Sequence, residues 1–151
     1  QTADMMVILA MDLELPDDSL RLTVEGELQL LEGRLVDAVA RRATMAARLR
    51  RLARESDWKS VDSLLIEFEK LPGVGEFEKQ LNAIRAPAIE AAQQKKDRVA
   101  ETRIQQMAAD ARQLIGRYLN ADKETALREE LNELRQLDKT NQEKANDAPG
   151  K

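Results

Sequence analysis

The tetrad Ser56-Asp57-Trp58-Lys59 has the S-x-x-K spacing of serine acyl-enzymes, in which the lysine activates the serine hydroxyl. The rest of that signature is missing: Lys139-Thr140-Asn141 lacks the required glycine and no S-D-N follows. Ser56 or Asp57 as a helix N-cap explains the tetrad more simply. Glu129, Glu130 and Glu133 bring three carboxylates together, but bundle di-metal centres draw on Glu-x-x-His pairs and the chain has no His. It has no Cys either, so zinc and most redox metals lack their usual ligands, and both the commonest general base and the strongest nucleophile are absent. Gly73-Val74-Gly75 has no third glycine and no following Gly-Lys-Ser/Thr, which makes it an interhelical turn in preference to a phosphate cradle. These residues specify no catalytic site, no cofactor and no metal.

The basic residues are the remaining candidates. Arg34, Arg41 and Arg48 recur every seventh residue and share one helical stripe, with Arg42, Arg50, Arg51 and Arg54 nearby. Such a stripe could grip nucleic acid or an anionic surface. It has no interleaved aromatics to stack bases, and the net charge is −4. Acidic partners lie elsewhere in the chain, at Asp62, Glu67 and Glu69 and at Glu124, Glu129, Glu130 and Glu133. The stripe is therefore expected to pair within the chain or with a protein partner, with a polyanion-binding module as the alternative.

The elements that carry these residues are read from apolar periodicity. Leu28, Leu31, Leu35, Ala38, Arg42, Met45, Leu49 and Leu52 alternate in steps of three and four, widened by Val36, Val39, Ala46 and Ala53, which predicts a helix over about Glu27 to Glu55. A turn at Ser56-Asp57 precedes a second helix with Val61, Leu64, Leu65, Phe68 and Leu71 on one face, stopped by Pro72-Gly73. A third stretch begins near Glu76 and meets Pro87, where a kink or break is expected. From Pro87 a single helix to about Leu119 would be ~50 Å long, with Gln93 to Arg98 as a solvated segment; that length implies an elongated molecule or a partner. Asn120 or Asp122 caps a last helix with Leu127, Leu131, Leu134 and Leu137 on its face. Upstream, Met5 to Leu15 and Ser19 to Glu25 alternate with strand period around Pro16-Asp17-Asp18, which predicts a β-hairpin.

The expected organisation is a β-hairpin lead-in over 1–26, which could end an upstream β domain, a helical bundle over 27–138 and a disordered polar tail over 139–151. The fold class is mostly α: two helix-turn-helix hairpins, with Leu49, Leu52, Trp58, Leu65, Phe68, Phe77, Tyr118 and Leu131 as core anchors. Leu49 through Leu71 also aligns with Ile115 through Leu137, position by apolar position, as an internal repeat would. At 151 residues the chain can bury a core without staples. Its longest apolar run is too short for a membrane helix.

Ala40-Arg41-Arg42-Ala43 through Asp57-Trp58, with Leu64-Leu65 and Leu71-Pro72, resembles helical hairpins that follow short β domains near the C-terminal ends of large, uncharacterised bacterial exported proteins. The likeness spans roughly Leu20 to Leu137, implies an architecture and a cell-envelope or exported setting, and transfers no functional residues. The Asp57-Trp58 turn is also similar to tetratricopeptide hairpins, although Glu124 stands where Trp58 would align in the second unit. A chain that begins at Gln1 without Met suggests a segment of a larger protein. The expected function is a structural or protein-protein interaction module without a catalytic site, whose partner is a protein, a neighbouring domain of the same polypeptide or a second copy.

Overall fold

Asp17 opens the first helix. Its Oδ1 accepts the backbone N–H of Ser19 at 2.9 Å and of Leu20 at 3.4 Å, and its carbonyl accepts the N–H of Arg21 at 3.0 Å. In the computed structural model, which describes residues 13–15 and 17–147, this cap begins α1, Asp18–Arg54. Four helices follow: α2 (Trp58–Glu69), α3 (Val74–Gln94), α4 (Arg98–Tyr118) and α5 (Ala121–Asp147).

No strand occurs among the described residues, which overturns the β-hairpin expected over 1–26. Ser19–Glu25 forms the first turns of α1, and the expected turn at Asp17-Asp18 is the helix start. A strand would put Leu22 and Val24 on one face, whereas Val24 is 1% exposed and Leu22 61%. The governing repeat is helical: Val24 extends the seam of Leu28, Leu31 and Leu35 backwards by one turn. Val36, expected to widen that seam, lies on the outside. Leu13 and Leu15 are buried against the same core, while residues 5–12 and Pro16, which complete the predicted hairpin, lie outside the described residues.

The single long helix expected from Pro87 is also corrected. α3 runs through Pro87 and ends at Gln94, and Lys95 to Asp97, inside the polar segment Gln93 to Arg98, form a joint. Pro87 and Ala83 are both exposed, so water can satisfy the carbonyl that loses its helical partner. The joint repeats the one after α1. Ser56 and Lys96 take left-handed backbone conformations, φ 58° and 55°. Around each of them the same two bonds close the helix end: Ser56 and Asp57 donate to the carbonyls of Ala53 and Leu52, and Lys96 and Asp97 to those of Gln93 and Ala92. Asp57 and Asp97 then cap the next helix, accepting the N–H of Ser60 at 3.3 Å and of Ala100 at 3.0 Å. The Ser56 joint thus recurs at Lys96 and not in the internal repeat read from apolar spacing. Lys123, which that repeat lays over Asp57, sits inside α5.

The helices form two units, each with its own core. Residues up to Val39 and Pro72–Asn120 make the first, where Leu28, Leu31 and Leu35 of α1 pack with Phe77 and Leu81 of α3 and Ile104 and Ile115 of α4. Ala40–Leu71 and the chain from Ala121 make the second, where Leu49 of α1 packs with Val61 and Phe68 of α2 and Leu127 and Leu131 of α5. The helices of the bundle expected over 27–138 are divided between these two units, with residues of α1 in each. Nor does the chain become a tail at residue 139: α5 continues to Asp147 on residues of good helix propensity, with Thr140 Oγ1 donating to the Gln136 carbonyl at 2.9 Å. Residues 148–151 lie outside the described residues.

Candidate functional site

The Ser56 joint positions the residues with catalytic spacing, and it turns them apart. Ser56 Oγ donates to Asp138 Oδ1 at 3.1 Å, and Asp57 accepts the N–H and, at 2.7 Å, the hydroxyl of Ser60. Lys59 lines a cleft on the α1/α2 side of the second unit with Arg48, Leu52, Ser60, Ser63, Leu64 and Glu67, about 410 Å³ in volume. Glu130 is bound to Arg50, and among the described residues no three carboxylates converge as metal ligands would. Gly73 is the N-cap position of α3, without a side-chain cap.

The densest polar constellation is the charge lattice of the second unit. α5 stands between α1 and α2 and offers each the opposite charge. On one side Glu124 accepts from Arg42 at 3.2 Å and Glu130 from Arg50 at 2.6 Å. On the other, Arg128 donates to Glu69 at 2.9 Å, and Arg135 grips Asp62 with two bonds of 2.7 and 3.1 Å. Arg128 and Arg135 lie seven apart, as do Asp62 and Glu69, and their pairing in reverse order makes α2 antiparallel to α5. The guanidinium of Arg42, the one charge in the apolar seam of α1, lies 5.4 Å from the Phe68 ring centroid, and that of Arg135 lies 5.4 Å from the Trp58 ring.

These contacts set the protonation of the lattice. Burial pushes the Glu124 carboxyl up, but hydrogen bonds from Arg128 and Arg42, together with their charges, outweigh it and hold the group below the usual carboxylate value. The hydrogen bonds from Arg135 lower Asp62 likewise. Arg128 and Arg135 are raised by the same bonds, so both stay cationic.

The stripe of Arg34, Arg41 and Arg48 is not what pairs with α5. Arg34 belongs to the first unit and donates to Gln80 Oε1 at 3.2 Å, Arg41 is engaged elsewhere, and Arg48 is exposed on its cleft. Arg42 and Arg50, on the seam side of the helix, reach α5 instead. Of the expected core anchors, Leu49, Phe68 and Leu131 are buried in the second unit, where Leu52, Trp58 and Leu65 are half-buried, while Phe77 is buried and Tyr118 half-buried in the first.

Two features of the first unit were missed from sequence. One is a cleft of about 600 Å³ between α1 and α3, floored by Leu20, Val24, Ile84 and Ala88 and rimmed by Asp17, Glu27, Arg34 and Gln80. Lys95 binds Asp17 at its edge, and that hydrogen bond holds the Asp17 carboxyl below its usual value. The other is the outer face of α1, where Leu22 and Leu30 are exposed. Its signal was the spacing of Leu22, Gly26, Gln29, Gly33 and Val36 opposite the seam, hidden because Leu22 also fits a strand alternation. No protein family, no curated protein and no solved structure matches the chain.

Proposed function

We propose that the chain is a structural, protein-interaction module, a segment of a larger polypeptide, that works through helix faces and carries no catalytic site. The observation that supports this reading is a set of large apolar side chains left at the surface. Leu22, Leu30, Ile66, Val99 and Leu137 are each more than half exposed, while Arg42, Arg50, Arg128 and Arg135 are turned onto acids of their own unit. Large apolar side chains at the surface, beside charges already paired within their own unit, suit a surface that meets another protein. The resemblance to hairpins of large bacterial exported proteins agrees with a segment of this kind and with a cell-envelope setting. The test is photo-cross-linking in the native host, with the cross-linking residue placed at Leu30, Ile66 or Leu137 and, as a control, at Arg54. Discrete protein adducts from the apolar positions and none from the control are expected; equal labelling at all four would overturn the reading.

One observation favours polyanion binding as a second reading: Arg48 and Lys59 line the same cleft from two helices. It requires binding to duplex DNA or heparin that weakens steeply with salt, because each phosphate or sulfate contact releases counterions. The interaction reading requires none, and Glu67 in the same cleft works against an anion there.

A further inference from the structure

Two opposite faces of the second unit carry opposite charge. α5 reaches α1 through Arg42 and Arg50 and α2 through Asp62 and Glu69. Arg48, Ser60 and Glu67 each stand two residues from one of these, about 160° round the helix, so the cleft they line opens on the side of α1 and α2 turned from α5. Its cations are Arg48 and Lys59, and its apolar part is the half-buried pair Leu52 and Leu64. The outer side of α5 is the converse. Glu129, Glu133 and Leu137 follow one another in steps of four, each two residues from Leu131 or Arg135, which face α1 and α2. All three are exposed, Leu137 by 58%. The ion pairs of the unit pass these four charges by: among the described residues neither Arg48 nor Lys59 holds an acid, and neither Glu129 nor Glu133 a base.

We propose that α5 of one copy of the chain lies in the α1/α2 cleft of another, with Glu129 and Glu133 against Arg48 and Lys59; the proposal rests on the interaction reading above and names its partner. Arg48 comes eight residues before Ser56 and Lys59 three after it, which offsets the two cations by about five residues, roughly 7.5 Å, along the pair of helices. Glu129 and Glu133 are one turn apart, about 6 Å, so one helix presents both acids to both cations. α5 already meets α1 in this way on the other side, giving Glu124 to Arg42 and Glu130 to Arg50.

Glu67 decides between a helix and a polyanion. It lies in the cleft, 3.9 Å from Lys70, and a ladder of phosphates or sulfates has nothing to offer it or the two leucines. Gln136, seven residues from Glu129 and exposed, brings an amide N–H that a carboxylate accepts, and the stems of an amphipathic helix cover apolar side chains. Because cleft and acidic stripe lie on opposite sides of the unit, one partner cannot engage both. The contact is heterologous, and association does not stop at two. Glu129 to Leu137 spans only about 13 Å of helix, so each contact is weak and depends on concentration.

The test is sedimentation velocity of the full chain from about 1 μM to 1 mM, at about 0.05 and 0.5 M salt. At low salt the mean mass should climb with concentration past that of a dimer, and high salt should reverse it. Glu129→Ala with Glu133→Ala, and separately Arg48→Ala with Lys59→Ala, should each weaken association at least tenfold, with circular dichroism showing unchanged helicity. Mixed in equal amounts, these two double variants should form a one-to-one dimer that grows no further, because only the cleft of the first and the α5 of the second are intact. A chain monomeric at every concentration, association indifferent to either double variant, or a mixture no better than its components would each overturn the proposal. A monomer that binds heparin through Arg48 and Lys59 would overturn it in favour of the polyanion reading. A monomer that still yields foreign protein adducts from Ile66 or Leu137 in the host would overturn self-association alone and leave the interaction reading standing.

Discussion

Trp58 donates its indole N–H to Asp138 Oδ2 at 2.7 Å, tying the first residue of α2 to α5 across the second unit. The same carboxylate accepts Ser56 Oγ, so one acid holds both the joint and the helix that leaves it. Asp138→Ala removes an acceptor from two donors and should destabilise the chain by about 1–2 kcal/mol, since bonds to a charged group exceed neutral ones and part of this pair is hydrated. Trp58→Phe keeps the ring contact and loses one bond, for about 1 kcal/mol. Chemical denaturation of both variants measures the difference; equal stability to the parent would mean that the Asp138 contacts are solvent-screened and idle.

The two left-handed joint residues give a prediction of opposite sign. Lys96 sits at φ 55° with a Cβ that this conformation disfavours, and Lys96→Gly should raise stability by about 1 kcal/mol. Ser56→Gly relieves the same strain at φ 58° but forfeits the bond to Asp138, so its net effect should be near zero. Thermal unfolding of the pair separates the contributions, and a Lys96→Gly variant that melts lower than the parent would refute the strain argument.

How much of this was legible follows from the same residues. The seam from Leu28 to Leu52, the cap at Asp57 and the stop at Pro72-Gly73 could be read because local chemistry and tertiary packing agree there. The Lys96 joint could not, because the left-handed residue is a lysine where glycine or asparagine would have announced a turn, and Gln93 to Lys96 reads as solvated helix. Only Asp97 offered a cap, and no apolar break accompanied it. The β-hairpin failed because Leu20, Leu22 and Val24 fit a period of two as well as a helix with apolar residues on both faces, and only packing against α3 and α4 decides between them. The charge lattice was half visible: opposite charge on α1 and α5 was plain, but a stripe chosen by heptad spacing named Arg34, Arg41 and Arg48, whereas Arg42 and Arg50 are the residues beside the seam that can reach α5.

Acid should loosen the second unit. Glu124 and Asp62 have folded-state values below their ordinary ones, so each contributes stability that is complete above the unfolded value and is lost as pH falls through the folded one. Unfolding free energy should be flat above about pH 5 and decline below it. Asp62 is half exposed and its share is small, while Glu124, with two arginines and partial burial, should account for about 1 kcal/mol. Glu124→Gln should lower the plateau and flatten the decline. A Gln variant with an unchanged acid limb would place the titrating group elsewhere.

Burial ranks the two leucines that the seam treats alike. Leu49 is fully buried among Ala53, Val61 and Phe68, whereas Leu65 is only half-buried at the edge of that cluster. A carboxylate at Leu49 would be buried among apolar side chains, so Leu49→Asp should cost several kcal/mol, about 3 or more, and lose helical signal at 25 °C. At Leu65 the same group can rotate into solvent, and Leu65→Asp should cost about 1–2 kcal/mol and leave the helices formed. Circular dichroism with urea titration compares them. If Leu65→Asp were the more damaging, α2 would have to be turned relative to α1 so that Leu65, and not Val61 and Phe68, faces the core.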